Sequence, residues 1–119
     1  SSTLDIGGLN LETGKLDSAL YFVQLATDYF EEQNSKVSLG RCYYLLGRIY
    51  NETKEYDKSE VVLKKTVDLF LELGNKNRAA GAMLRQSELA ELQGDYNKAI
   101  GYCFQVLETI EEIEALMAS

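Results

Sequence analysis

Lys54-Glu-Tyr-Asp-Lys-Ser-Glu60 recurs forty residues later as Gly94-Asp-Tyr-Asn-Lys-Ala-Ile100 and forty residues earlier as Gly14-Lys-Leu-Asp-Ser-Ala-Leu20. The same offset aligns Asp28 with Asp68 and Glu108, Phe30 with Phe70 and Ile110, and Glu32 with Glu72 and Glu112, so one register runs the length of the chain. A fixed period of this size implies a stacked solenoid, in which each repeat buries its apolar face only against its neighbours. Arrays of this kind act by presenting a surface, so the expectation is a binding module.

Composition is consistent with this. The 119 residues suffice for a single domain, read as repeats over 1–40, 41–80 and 81–119, and 45% apolar with 26% charged residues is ordinary for a folded soluble protein. No apolar run approaches the roughly 18 residues of a membrane span. Proline is absent, which suits uninterrupted helices. Cys42 and Cys103 lie in different repeats inside helical patterns and read as buried free thiols. Two such cysteines make no disulfide framework, and the expected compartment is reducing and cytoplasmic. The net charge of −7 opposes binding to nucleic-acid phosphates and favours a basic or neutral protein partner.

Start and stop signals place six helices. Asp17, Asp57 and Asn97 stand at one repeat position, each read as an N-cap that can accept from amides of the first helical turn. After Asp57, Val61, Val62, Leu63, Val67, Leu69, Phe70, Leu71 and Leu73 recur at helical spacing, and Gly74 follows as a left-handed C-terminal cap. Tyr43, Leu46, Gly47 and Tyr50 mark one face of a partner helix ahead of it. The pattern predicts helices near 3–13, 17–33, 37–52, 57–73, 78–92 and 97–114, paired as three hairpins. The fold class is therefore all-α.

Tyr43, Leu46, Gly47, Tyr50, Tyr56, Ser59, Leu63 and Thr66 carry the large–small–large spacing of the tetratricopeptide repeat, and the middle repeat resembles that family. The third repeat resembles it through Met83, Ser87, Ala90, Gly94, Tyr96, Ala99, Cys103 and Val106, and the first through Ile6, Gly7, Leu16, Ala19, Val23 and Ala26. Small residues at Gly47 and Ser59, or at Ser87 and Ala99, have a local physical purpose: they let two helices approach closely. The period of forty exceeds the family's common form of about 34 residues, so the helices run longer, as in the extended repeats of adaptor proteins, kinesin light chains and bacterial peptide-responsive regulators. The resemblance implies a right-handed α-solenoid. Gly7 and Gly8 make its first helix the least stable, each at a cost of roughly 1 kcal/mol relative to alanine.

In proteins of this kind, function resides on the concave surface lined by the first helix of each hairpin. The positions this implies are Arg41, Tyr44, Leu45, Arg48, Asn51 and Glu52 in the middle repeat, Leu84, Arg85, Glu88, Glu91 and Leu92 in the third, and Leu4, Asp5 and Leu11 in the first. Tyr44, Arg48 and Asn51 lead: an aromatic, a guanidinium and an amide on one face can hold a peptide by stacking, charge and backbone hydrogen bonds. The competing role for Arg48 is an ion pair with Glu52, four residues on. The carboxylate clamp of chaperone-binding relatives is disfavoured, because its first-repeat positions hold Leu4 and Gly8 and Arg85 alone matches a basic position.

Catalysis finds little support. The chain has no histidine, and so lacks the commonest general base and metal ligand, and neither cysteine sits in a nucleophile motif. Glu108, Glu111, Glu112 and Glu114 lack a ligand loop and read as a solvated face, not a metal site. No cofactor, nucleic-acid or membrane partner is expected; the expected partner is a protein or peptide segment. The alternative reading is a peptide- or ligand-sensing segment of a larger signalling or transcription regulator, and a structural spacer is a third. Finally, Ile110, Ile113, Leu116 and Met117 continue the last helix as an apolar stripe among glutamates, at a helix end where the dipole disfavours negative charge. With no initial methionine, the chain reads as a fragment, and the stripe predicts a homodimer through the C-terminal helix.

Overall fold

The computed structural model describes residues 16–118, and within them the chain is a succession of five α-helices: α1 (Leu16–Gln33), α2 (Lys36–Glu52), α3 (Tyr56–Glu72), α4 (Lys76–Leu92) and α5 (Tyr96–Ala118). Every helix thus begins twenty residues after the one before it. The helix expected near 3–13, with Leu4, Asp5, Ile6, Gly7, Gly8 and Leu11, lies outside the described residues.

The turns repeat at the same spacing. Asn34, Lys54, Gly74 and Gly94 are left-handed, with φ of 54°, 64°, 74° and 78°. At each one, the next amide reaches back to a carbonyl of the finished helix: Ser35 to Phe30 at 3.1 Å, Glu55 to Tyr50 at 2.9 Å, Asn75 to Phe70 at 2.8 Å and Asp95 to Ala90 at 2.9 Å. These Schellman-type closures satisfy carbonyls that a helix end leaves open. Gly74 accordingly terminates its helix as the sequence predicts.

The N-caps differ from expectation. Asp17 and Asp57 lie inside the first turn of α1 and α3, and Asn97 lies inside α5, because each helix starts two residues earlier than a cap at these positions implies. Side-chain caps occur instead at Asn75, which accepts from the Arg78 amide at 3.2 Å, and at Asp95, which accepts from the Lys98 amide at 3.1 Å. The Asp57 carboxylate still favours the helix start through the macrodipole.

Each helix packs on its chain neighbours, and α2 also approaches α4, whereas no such approach joins α1 to α3 or α3 to α5. One core gathers Ala19, Val23 and Ala26 of α1 with Cys42, Leu46, Ile49 and Tyr50 of α2. A second gathers Val67 and Phe70 of α3 with Ala79, Ala82 and Met83 of α4 and Val106 of α5. Gly47 is required between them: a Cβ there would collide with the side chain of Leu63. Ion pairs recur with the period, Lys36 to Glu72 at 2.8 Å and Lys76 to Glu112 at 2.7 Å, although exposed pairs of this type contribute only about 0–1 kcal/mol each.

Two expectations need correction. Cys42 is buried, but Cys103 is exposed: its sulfur lies 3.2 Å from the Ser87 hydroxyl of α4, and among the described residues α5 packs against α4 alone. The final helix also runs on to Ala118, past the expected end near 114. No described helix is long and apolar enough to cross a membrane.

Candidate functional site

The approach of α2 to α4, with α3 beneath them, leaves an open cavity of about 370 Å³ lined by Arg41, Tyr44 and Leu45 of α2, Phe70 of α3, and Arg78 and Gly81 of α4. Phe70 is nearly fully buried and forms part of its floor. The Arg78 guanidinium lies over that ring, 5.7 Å from its centroid, a distance at which ring and cation attract. Arg41 is exposed on the facing helix.

Beside the cavity, Tyr44 and Arg85 join the two inner helices across forty-one residues of sequence. Arg85 donates from Nε to the Tyr44 hydroxyl at 2.9 Å and from a terminal nitrogen to Glu88 at 2.8 Å, with its guanidinium 5.8 Å from the Tyr44 ring centroid. These bonds to Tyr44 and Glu88 outweigh the desolvation of the half-buried cation and hold its pKa above the usual arginine value. Arg85 is therefore fixed in place and positively charged.

The expected contacts do not all share this setting. Tyr44, Arg85 and Glu88 are brought together, Arg41 lines the cavity, and Leu84 is exposed on α4. Arg48 is half-buried, and no ion pair joins it to Glu52; the ion pair of this face is Arg85 with Glu88. Asn51, expected as an exposed contact, is buried: Ser59 lies 2.5 Å from its Oδ1, and its amide nitrogen has no hydrogen-bond partner. It belongs to the α2–α3 contact, since Ser59 also donates to the Gly47 carbonyl at 3.1 Å.

Arg78 and Phe70 were not among the expected site residues. A readable signal existed for both arginines of the cavity: neither Arg41 nor Arg78 has an acidic residue three or four positions away on its helix, whereas Arg48, Lys58 and Arg85 do. A cation without a local partner is free to serve another one. Among the described residues, no group of three or more His, Cys, Asp or Glu is placed to hold a metal ion.

Neither protein-family models nor curated proteins show a significant match to this chain.

Proposed function

We propose that the chain is a right-handed α-solenoid of tetratricopeptide-like hairpins that binds a segment of another protein noncovalently on the face shared by α2 and α4, and that it is not an enzyme. The observation that carries this reading is the open cavity where those two helices converge, with aromatic rings and guanidinium groups at its wall. Convergence of alternate helices makes their side the concave one, and a concave, mostly apolar surface with a few directed polar groups is the usual form of a binding site. The helix spacing of twenty residues and the Gly47–Leu63 fit support the repeat assignment. Self-association through the exposed side of α5 is part of the same proposal.

The test is selection from a displayed random-peptide library, followed by fluorescence anisotropy on the selected sequences. Tyr44→Ala and Arg48→Glu should each weaken binding by about tenfold; Tyr44→Ala also removes a half-buried ring from the α3–α4 core and should lower the melting temperature, so binding is compared at a temperature where it is fully folded. Full binding in both variants, with a normal helical spectrum, would move the site away from this face.

A further inference from the structure

Resting on the reading of the α2–α4 face as a binding surface, we infer that the cavity takes the carboxylate of a Glu or Asp side chain within an extended peptide, held between Arg41 and Arg78, with a following apolar residue on Phe70 and Leu45. Two cations from different helices flank the cavity, and no carboxylate is among its described lining residues. Of the other described cations, Lys36, Lys58, Lys76, Arg85 and Lys98 pair with glutamates, while Arg48, Lys54, Lys64 and Lys65 form no ion pair but do not line the cavity. Arg41 and Arg78 take part in none of these pairs.

The geometry favours a carboxylate over other acceptors. The Arg78 guanidinium sits 5.7 Å from the Phe70 ring centroid and is in none of the ion pairs, and a guanidinium presents its N–H groups in a fork that matches two carboxylate oxygens. Tyr44 adds a third donor: its oxygen already accepts from Arg85, so its own proton is left to point elsewhere. The apolar floor supplies burial, and Gly81 leaves the wall open, since a Cβ there would meet nothing within 4 Å.

The net charge of −7 would by itself repel an acidic partner. Exposed charges more than about 8 Å away are largely screened at physiological salt, however, so the groups lining the cavity decide what enters it. An acidic anchor residue is therefore compatible with an acidic protein, and the general preference for basic partners does not extend to this spot.

The experiment uses two hexapeptide pools with an uncharged nitrobenzoxadiazole fluorophore on the N-terminus and an amidated C-terminus, so that a side chain carries the only carboxylate. One has Glu followed by Leu or Phe at its centre, the other Gln in place of Glu, and the remaining positions are drawn from Ala, Ser, Asn and Gly. At physiological salt the Glu pool should bind the intact chain at least about tenfold more tightly than the Gln pool, the increment expected of charge-assisted hydrogen bonds. Arg41→Gln should erase that preference. Arg78→Gln should do the same, and Arg78→Lys should restore part of it, which separates a charge role from a merely structural one on Phe70. Circular dichroism and thermal melts report whether each variant folds, and Arg41, being exposed, carries the test if Arg78 variants do not. Equal binding of both pools, lost in Tyr44→Ala, would overturn the carboxylate site and leave the binding face standing; equal binding insensitive to Tyr44→Ala would overturn both. No binding of either pool would overturn the carboxylate site, with the library selection deciding the face independently. Displacement of the Glu pool by millimolar inorganic phosphate but not by acetate would overturn it in favour of a phosphate site.

Discussion

Ser59 donates its hydroxyl to the carbonyl of Gly47 at 3.1 Å, and forty residues later the bond survives with its donor on the opposite helix, Ser87 giving to Ala99 at the same distance. In both hairpins a serine faces a residue with little or no side chain, so the backbones come close enough for a hydroxyl to span them. A helix carbonyl that accepts such a bond keeps its own helical partner and uses its second lone pair for the crossing. The period therefore preserves a contact, not a residue.

Overpacking at this crossing should be costly. Gly47→Leu would place new atoms where the Leu63 side chain sits, and a loss of about 1–3 kcal/mol in urea unfolding is expected. Gly101→Ala is the counterpart: its Cβ would meet nothing within 4 Å, so the better helix propensity should stabilise α5 by roughly 0.5–1 kcal/mol. Equal effects of the two substitutions would refute the assigned helix contact.

The two thiols should differ in reactivity. Burial pushes the Cys42 thiol up, with the hydrogen bond to Thr27 and the nearby Arg41 charge only partly opposing it, and the thiolate is the form that reacts. Cys103 is exposed, with its sulfur 3.2 Å from the Ser87 hydroxyl. Native protein treated with a disulfide reagent should release one equivalent promptly and the second only on unfolding, and Cys103→Ser should abolish the prompt phase.

Glu55 should give the α2–α3 turn a pH dependence. A hydrogen bond from Lys58 at 3.1 Å and another from Thr53 at 2.9 Å hold its carboxyl below the usual carboxylate range. Because the folded pKa is the lower one, the contribution is present above the unfolded pKa and fades as pH falls through the folded value. Glu55→Gln should therefore lower the melting temperature slightly at neutral pH and leave it unchanged once the carboxyl is protonated in both states. A difference that stays constant down to pH 2 would rule out the titration of Glu55 as its cause.

Local signals were legible in the sequence and cross-helix ones were not. The helix starts were read within two residues, because apolar spacing and left-handed glycines act within a single turn. Asp57 and Asn97 do not cap, since a polar residue in the first turn looks like a cap two positions away; the glutamate at the Glu55 cap position makes no capping bond at all. Asn51 has the helical spacing of an exposed face with Tyr44 and Arg48, yet Ser59 of the next helix closes over it, which spacing along α2 alone does not reveal. Ile100 and Phe104 look like core residues, but they replace Glu60 and Lys64 of α3, and that exchange of polar for apolar was itself visible at the forty-residue offset.

That exchange motivates the final prediction. On α3, Leu63, against Gly47 of α2, and Val67 and Phe70, packed with α4, are 0%, 8% and 2% exposed, while their counterparts on α5 are Cys103, exposed, with Leu107 at 54% and Ile110 at 41%. Ile100 and Phe104 widen the same strip, at 54% and 62% exposure. Leu116 and Met117 of the expected terminal stripe are also exposed, although Ile113 is half-buried. A contiguous apolar strip along a whole helix favours association, and an isologous contact lets each copy cover the other's strip. Sedimentation over a concentration series should show the parent chain forming dimers. Leu107→Lys should shift it to monomer and lower the melting temperature only at concentrations where the parent is dimeric, because the side chain is already in water in the single chain. Ile113→Lys and Leu116→Lys separate the two ends of the strip: loss of the dimer in these but not in Leu107→Lys would confine the contact to the terminal turns. A parent that stays monomeric at every concentration would show that Glu108, Glu111 and Glu114 repel more strongly than the strip attracts.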